Sequence, residues 1–145
     1  MKGHSAVAGL AFALTAPAFA IAAQSSLDGR YAFYQAPTAA EQTRGPRNDN
    51  DCRQYLASDL YIPDFTEHLT IAGNRWDENQ DVSAVTGNIV RQVTKGDFTY
   101  FTIDVESEGG GGVATGTVTR IGKLAITISV DSEQGLRVLH YCKVF

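Results

Sequence analysis

From residue 67 to residue 145 the chain repeats one pattern: runs rich in Val, Ile, Thr, Phe and Tyr, broken by short clusters of Gly, Asn and Asp. β-Branched and aromatic runs favour extended backbone, and the breaks carry the residues that turn it, so the pattern predicts strands joined by hairpins. The predicted strands are 67–72, 75–78, 82–94, 98–105, 113–121, 123–130 and 136–145. The turns fall at Gly73-Asn74, Asn79-Gln80-Asp81, Lys95-Gly96-Asp97, the glycine run at 109–112, Gly122 and 131–135. An earlier run at 30–35 brings the total to about eight strands. Apart from a turn or two within 51–60, nothing has the periodicity of a helix.

Alternation assigns faces. Leu124, Ile126, Ile128 and Val130 share one side and Ala125, Thr127 and Ser129 the other; Phe101, Ile103 and Val105 point inward with Thr102, Asp104 and Glu106 outward. Eight strands in sequence order leave two unpaired edges, which closure of the sheet removes. The chain therefore reads as an all-β, roughly eight-stranded antiparallel up-and-down barrel, with a two-sheet β-sandwich as the alternative. A barrel of that size is either filled by its own side chains or holds one small ligand.

The N-terminus has a different character. Lys2 precedes an almost wholly apolar stretch to Ala23, and Ala18-Phe19-Ala20 and Ala20-Ile21-Ala22 give the small-x-small spacing of a signal-peptidase site. Residues 1–23 are read as a signal peptide, with a single domain at 24–145. An uncleaved anchor is disfavoured by Thr15 and Pro17, and no cysteine follows the cleavage region to be lipidated. Export places the chain in the periplasm or outside the cell. Without Lys2, 11 basic residues face 16 acidic ones, a net charge of −5. That balance argues against nucleic acid and anionic lipid as partners.

Cys52 and Cys142 are the only cysteines. In an oxidising compartment they are expected to pair, and barrel closure brings Cys142 on the last strand toward the segment after the first. The bridge would close a loop of about 90 residues and contribute roughly 4 kcal/mol in the chain-entropy model.

The sequence Leu27-Asp28-Gly29-Arg30-Tyr31 resembles the opening G-x-W of lipocalin-like (calycin) barrels, with Tyr31 where the family has Trp. The hairpin from Leu69 to Trp76 is similar to the second-strand hairpin of small bacterial members. The resemblance spans residues 27–145 loosely and lacks the family's usual helix before the last strand. It implies that Tyr31 plugs one end of the barrel under a basic side chain of the last strand, for which Lys143 is the candidate. It also implies a barrel that holds a small apolar ligand or docks a protein.

No catalytic, cofactor or metal constellation is evident. His68 and His140 stand alone on their strands, no His or Cys spacing completes a zinc site, and the glycine run lacks the Lys-Ser/Thr ending of a phosphate loop. What stands out is the segment 36–65, too long for an ordinary connection. It carries Arg44, Arg47 and Arg53 among acidic residues, followed by Tyr55, Tyr61 and Phe65. Arg and Tyr are enriched at contact surfaces, so Arg44, Arg47, Tyr55 and Tyr61 are the predicted binding residues, on a loop expected to add little to the core. The function expected is a binding protein that takes a small apolar ligand in the barrel or a protein partner, as an inhibitor would, through this segment. The alternative is a barrel enzyme acting on a small hydrophobic substrate.

Intact mass of the exported protein checks the N-terminal and cysteine readings together. A start between Ile21 and Gln24 and a gain of about two mass units on reduction are expected; two free thiols would refute the bridge.

Overall fold

The computed structural model describes residues 27–79, 85–106, 111–132 and 135–145. The predicted signal peptide and its cleavage region, most of the predicted turn at 79–81, the first half of the glycine run at 109–112 and the middle of the predicted turn at 131–135 lie outside the described residues. Eight strands follow in order: β1 (Gly29–Phe33), β2 (His68–Ala72), β3 (Arg75–Asn79), β4 (Thr86–Lys95), β5 (Phe98–Val105), β6 (Gly112–Ile121), β7 (Ala125–Ser132) and β8 (Gly135–Val144). Each pairs antiparallel with its neighbours in sequence, and β1 pairs with β8 to close the barrel. Tyr31 stands opposite Lys143 and Ala32 opposite Cys142 across that seam. A sandwich of two sheets is thereby excluded.

The interior is filled. Trp76, Tyr141, Leu69, Ile71, Ile103, Ile128, Val118 and Val130 are buried to within 2% of completely, and the Trp76 ring stacks on Phe101 at 4.7 Å between centroids. One ion pair lies among them: buried Glu78 accepts from the Trp76 indole (3.2 Å), from the Val85 amide (3.2 Å) and from Arg137 Nη2 (3.2 Å). These donors replace the water the carboxylate gave up. The Nε and Nη1 atoms of Arg137 are buried without a hydrogen-bond partner.

The outer face has two regions. Over β4–β8 it is open: Val113 and Val138 are exposed, and Val93, Tyr100 and Leu136 line a trough of about 490 Å³ that also meets Arg91, Lys95 and Asp131. Over β1, β8 and the start of β7 it is covered by the segment 36–65, which contains helices α1 (Ala39–Arg44) and α2 (Asp49–Leu56). Under that cover Ala32, Tyr34, Cys52, Tyr55, Leu124, Ala125 and Cys142 form a second apolar cluster. One face reading is corrected by it, and one keeps its face but gains a cover. Leu124 precedes β7 and packs in this outer cluster rather than with Ile126, and Ala125, although outward, is completely buried.

The face assignment is tested within two adjacent strands. Ile128→Ala, deep in the interior, is expected to cost about 2–5 kcal/mol, and Val138→Ala on the open outer face under about 0.5 kcal/mol. Denaturant midpoints compare them, and equal losses would invalidate the assignment.

Candidate functional site

The segment 36–65 is a built structure, and the expectation of a loop that adds little to the core is corrected. Thr38 caps α1: its Oγ1 accepts from the Glu41 amide (3.2 Å) while its hydroxyl donates to Glu41 Oε2 (2.8 Å). The helix stops at Gly45, whose φ of 74° suits glycine and where a Cβ would collide with the His140 ring. Asn48 caps α2 by accepting from the Asp51 amide (2.9 Å), and Asp49 and Asp51 place negative charge in its first turn. Residues three apart share a helix face, so Cys52 and Tyr55 both turn toward the barrel.

Four contacts strap the segment down. Cys52 is bonded to Cys142, with Cα atoms 5.5 Å apart. Asp49 Oδ1 accepts from the amides of Lys123 (2.9 Å) and Leu124 (2.8 Å) in the β6–β7 turn. His140 is held between Thr127 Oγ1 (2.9 Å) and the Thr43 carbonyl (3.1 Å), and the Tyr55 hydroxyl donates to the Phe33 carbonyl (2.6 Å). Beneath the strap, Tyr34, Tyr55, Tyr61 and His68 meet edge to face in succession, at centroid distances of 5.3, 5.7 and 6.1 Å.

Above this ladder, between α1, α2 and the exit of β1, lies a crevice of about 230 Å³. Three of the four predicted binding residues line it: Arg44, Arg47 and Tyr55. Tyr34, Gln54 and Leu60 complete its apolar and amide surface, with Glu41 and Asp51 supplying carboxylates. Arg44 is exposed and takes part in none of the ion pairs among the described residues. Arg47 forms a fork with Asp51 at 3.0 Å, which holds the Asp51 carboxyl below its ordinary range and the guanidinium above its own. Tyr55 is the buried floor; burial pushes its hydroxyl up to about 12, so it stays protonated and donating. Tyr61 is half-buried in the ladder, away from the crevice lining. The residues that sequence reading missed are Tyr34, Gln54 and Asp51, which become neighbours only once α2 forms.

At the other end of the strand seam the structure brings Tyr31 and Lys143 together. Tyr31 is buried in the main cluster with its hydroxyl donating to the Leu27 carbonyl (2.7 Å), and the Lys143 stem crosses Gly29 beside the ring. Among the described residues no three His, Cys, Asp or Glu side chains converge to hold a metal ion.

His68 is the pH-sensitive member of the ladder. Arg30 Nη2 can only donate, and it lies 3.2 Å from His68 Nδ1, so that nitrogen accepts and the ring proton sits on Nε2, 3.4 Å from the Tyr61 hydroxyl. Burial, and then the Arg30 charge, lower its pKa from 6.5. The folded protein thus resists a proton that the unfolded chain accepts. The stability contribution is complete above about pH 6.5 and is lost as the pH falls toward the depressed folded value. The thermal midpoint is expected to decline between about pH 6.5 and 5, with a shallower decline in His68→Gln; identical profiles would overturn the assignment.

Compared with known proteins, the chain matches no family model, no curated protein and no solved structure.

Proposed function

We propose that this is an exported, lipocalin-like binding module that docks a protein partner, in the manner of an inhibitor, through the crevice of the strap. The observation that carries the reading is the meeting of Arg44, Arg47 and Tyr55 around one crevice on a rigid scaffold. A filled interior favours surface recognition over a small apolar ligand within the barrel, because such a ligand would have to displace Trp76, Phe101 and their neighbours.

The chemistry of the crevice defines what fits it. Arg44 offers an uncommitted guanidinium to a partner carboxylate or carbonyl, Leu60 and the tyrosine rings offer apolar area, and Gln54 offers both a donor and an acceptor. Because the disulfide and the capped helices fix the strap before binding, little ordering cost remains for the encounter.

The test is retention of a partner from the exported-protein fraction of the native cell on immobilised wild-type protein, with the partner identified by mass spectrometry and its affinity then measured. Arg44→Glu is expected to weaken binding by at least about tenfold without shifting the thermal midpoint, since the side chain is exposed. Val138→Glu, on the open outer face, is expected to leave it unchanged. Equal affinity for Arg44→Glu and wild type would refute the reading. So would a small apolar molecule extracted stoichiometrically from the purified native protein.

A further inference from the structure

The trough of about 490 Å³ on the outer face shares no lining residue with the strap crevice. Register builds it. Arg91 stands opposite Thr102, Thr102 opposite Thr115, Thr115 opposite Asp131 and Asp131 opposite Leu136, so one row crosses five strands. Two residues along each strand, Tyr100 stands opposite Thr117 and Thr117 opposite Ser129. Partners across a pleated sheet share a face, and the inward positions between these rows belong to Phe101 and Val130. The floor is low because its side chains are short, and at Gly116 there is none: a Cβ there would collide with the Ser129 carbonyl. Long side chains on either side, Arg91 and Tyr100 against Leu136, make the walls.

The polar groups of this surface are not committed elsewhere. Neighbouring Thr94 bonds to Thr99, and Thr127 to His140. The hydroxyls of Tyr100, Thr102, Thr115, Thr117 and Ser129, by contrast, take part in no side-chain hydrogen bond among the described residues, and Arg91, Lys95 and Asp131 take part in no ion pair among them. The cations stand on β4 and the carboxylate on β7, so the trough carries both signs of charge rather than a patch of one.

Hydroxyls donate and accept, Asp131 accepts, and Arg91 and Lys95 donate. A ligand matched to such a surface has many donors and acceptors, no strong net charge, and an apolar face for the Tyr100 ring, whose π surface is negative. A sugar ring has hydroxyls around its rim and C–H groups on its faces, and so meets all three conditions. An extended peptide is recognised through a free strand edge or deep side-chain pockets, whereas β5, β6 and β7, which form the floor, are each paired on both sides. A second copy of the chain would set one concave surface against another and leave a void between them.

We propose that this trough binds a short neutral oligosaccharide, its ring faces against Tyr100 and Leu136 and its hydroxyls shared among Arg91, Asp131 and the threonines of the floor. The site is separate from the strap crevice and stands whether or not a protein partner docks there.

The experiment is a calorimetric titration of the full exported protein with cellohexaose, chitohexaose and maltohexaose in turn. Saturable binding of at least one of them at one site is expected, weakened at least about tenfold by Tyr100→Ala and by Asp131→Ala, and unchanged in Arg44→Ala. Tyr100 and Asp131 are exposed, so the thermal midpoint is expected to stay in place; where Tyr100→Ala lowers it, Asp131→Ala keeps the test valid. Heat without saturation for all three hexamers, or equal affinity in wild type and Asp131→Ala, overturns the proposal. So does saturable binding of oligogalacturonate with none of the neutral hexamers bound, which would assign the trough to a polyanion.

Discussion

The pairing of β1 with β8 is the constraint on which the rest of this structure depends. It removes both edges of an eight-strand meander at once, and it sets Ala32 directly opposite Cys142. That register puts the disulfide, the strap and the second apolar cluster on the same two strands. β1 and β8 are consequently buried on both faces, by Tyr31 and Tyr141 within and by Ala32, Tyr34 and Cys142 without. Apart from the turn end of β6 and β7, where Ile121 and Ala125 meet the outer cluster, the remaining strands carry a core on one face only. The seam is thereby covered on its inner and its outer side.

The interior of the barrel is filled by its own side chains. A barrel that stacks Trp76 on Phe101 and seals Glu78 with Arg137 has committed its inside to stability. What is left for chemistry lies on added structure or on the outer face. The crevice of the strap is of the first kind, supplied by the helical insertion rather than by the barrel.

The strands were legible because alternation is a strong local signal. Phe98–Val105 matches its prediction to the residue, and the other strands fall within a few residues of theirs. The disulfide was legible because only two cysteines exist and closure makes them neighbours. Of the helices only a turn or two within 51–60, overlapping α2, was expected, because both are short. α1 has six residues and no buried side chain, so it carries no apolar period, and its only sequence marks are Thr38 three residues before Glu41 and Gly45 at its end. Missing α1 and the packing of α2 hid the outer cluster, and with it the burial of Ala125 and the displacement of Leu124. Arg44, Arg47 and Tyr55 could be picked by composition, whereas Asp51 and Gln54 needed the turn of α2 to bring them alongside. Tyr61 was misjudged in kind: an aromatic in a long segment reads as surface, but a histidine on β2 was waiting to pack against it.

The 90-residue separation of the bridged cysteines has a further consequence for how the protein is made. A ribosome adding ~5–20 residues per second delivers Cys142 several seconds after Cys52. Throughout that interval Cys52 is an exposed thiol with no correct partner, and β2 to β7 can form a sheet whose two margins are both unpaired. Having only two cysteines makes the wait safe within one chain, since no wrong intramolecular pairing exists. Between chains it does not, and oxidation of crowded, incomplete chains would favour crosslinked pairs joined through Cys52. Yield of the monomer is thus limited by the arrival of the final strand, and an oxidant acting too early is more harmful than one acting late.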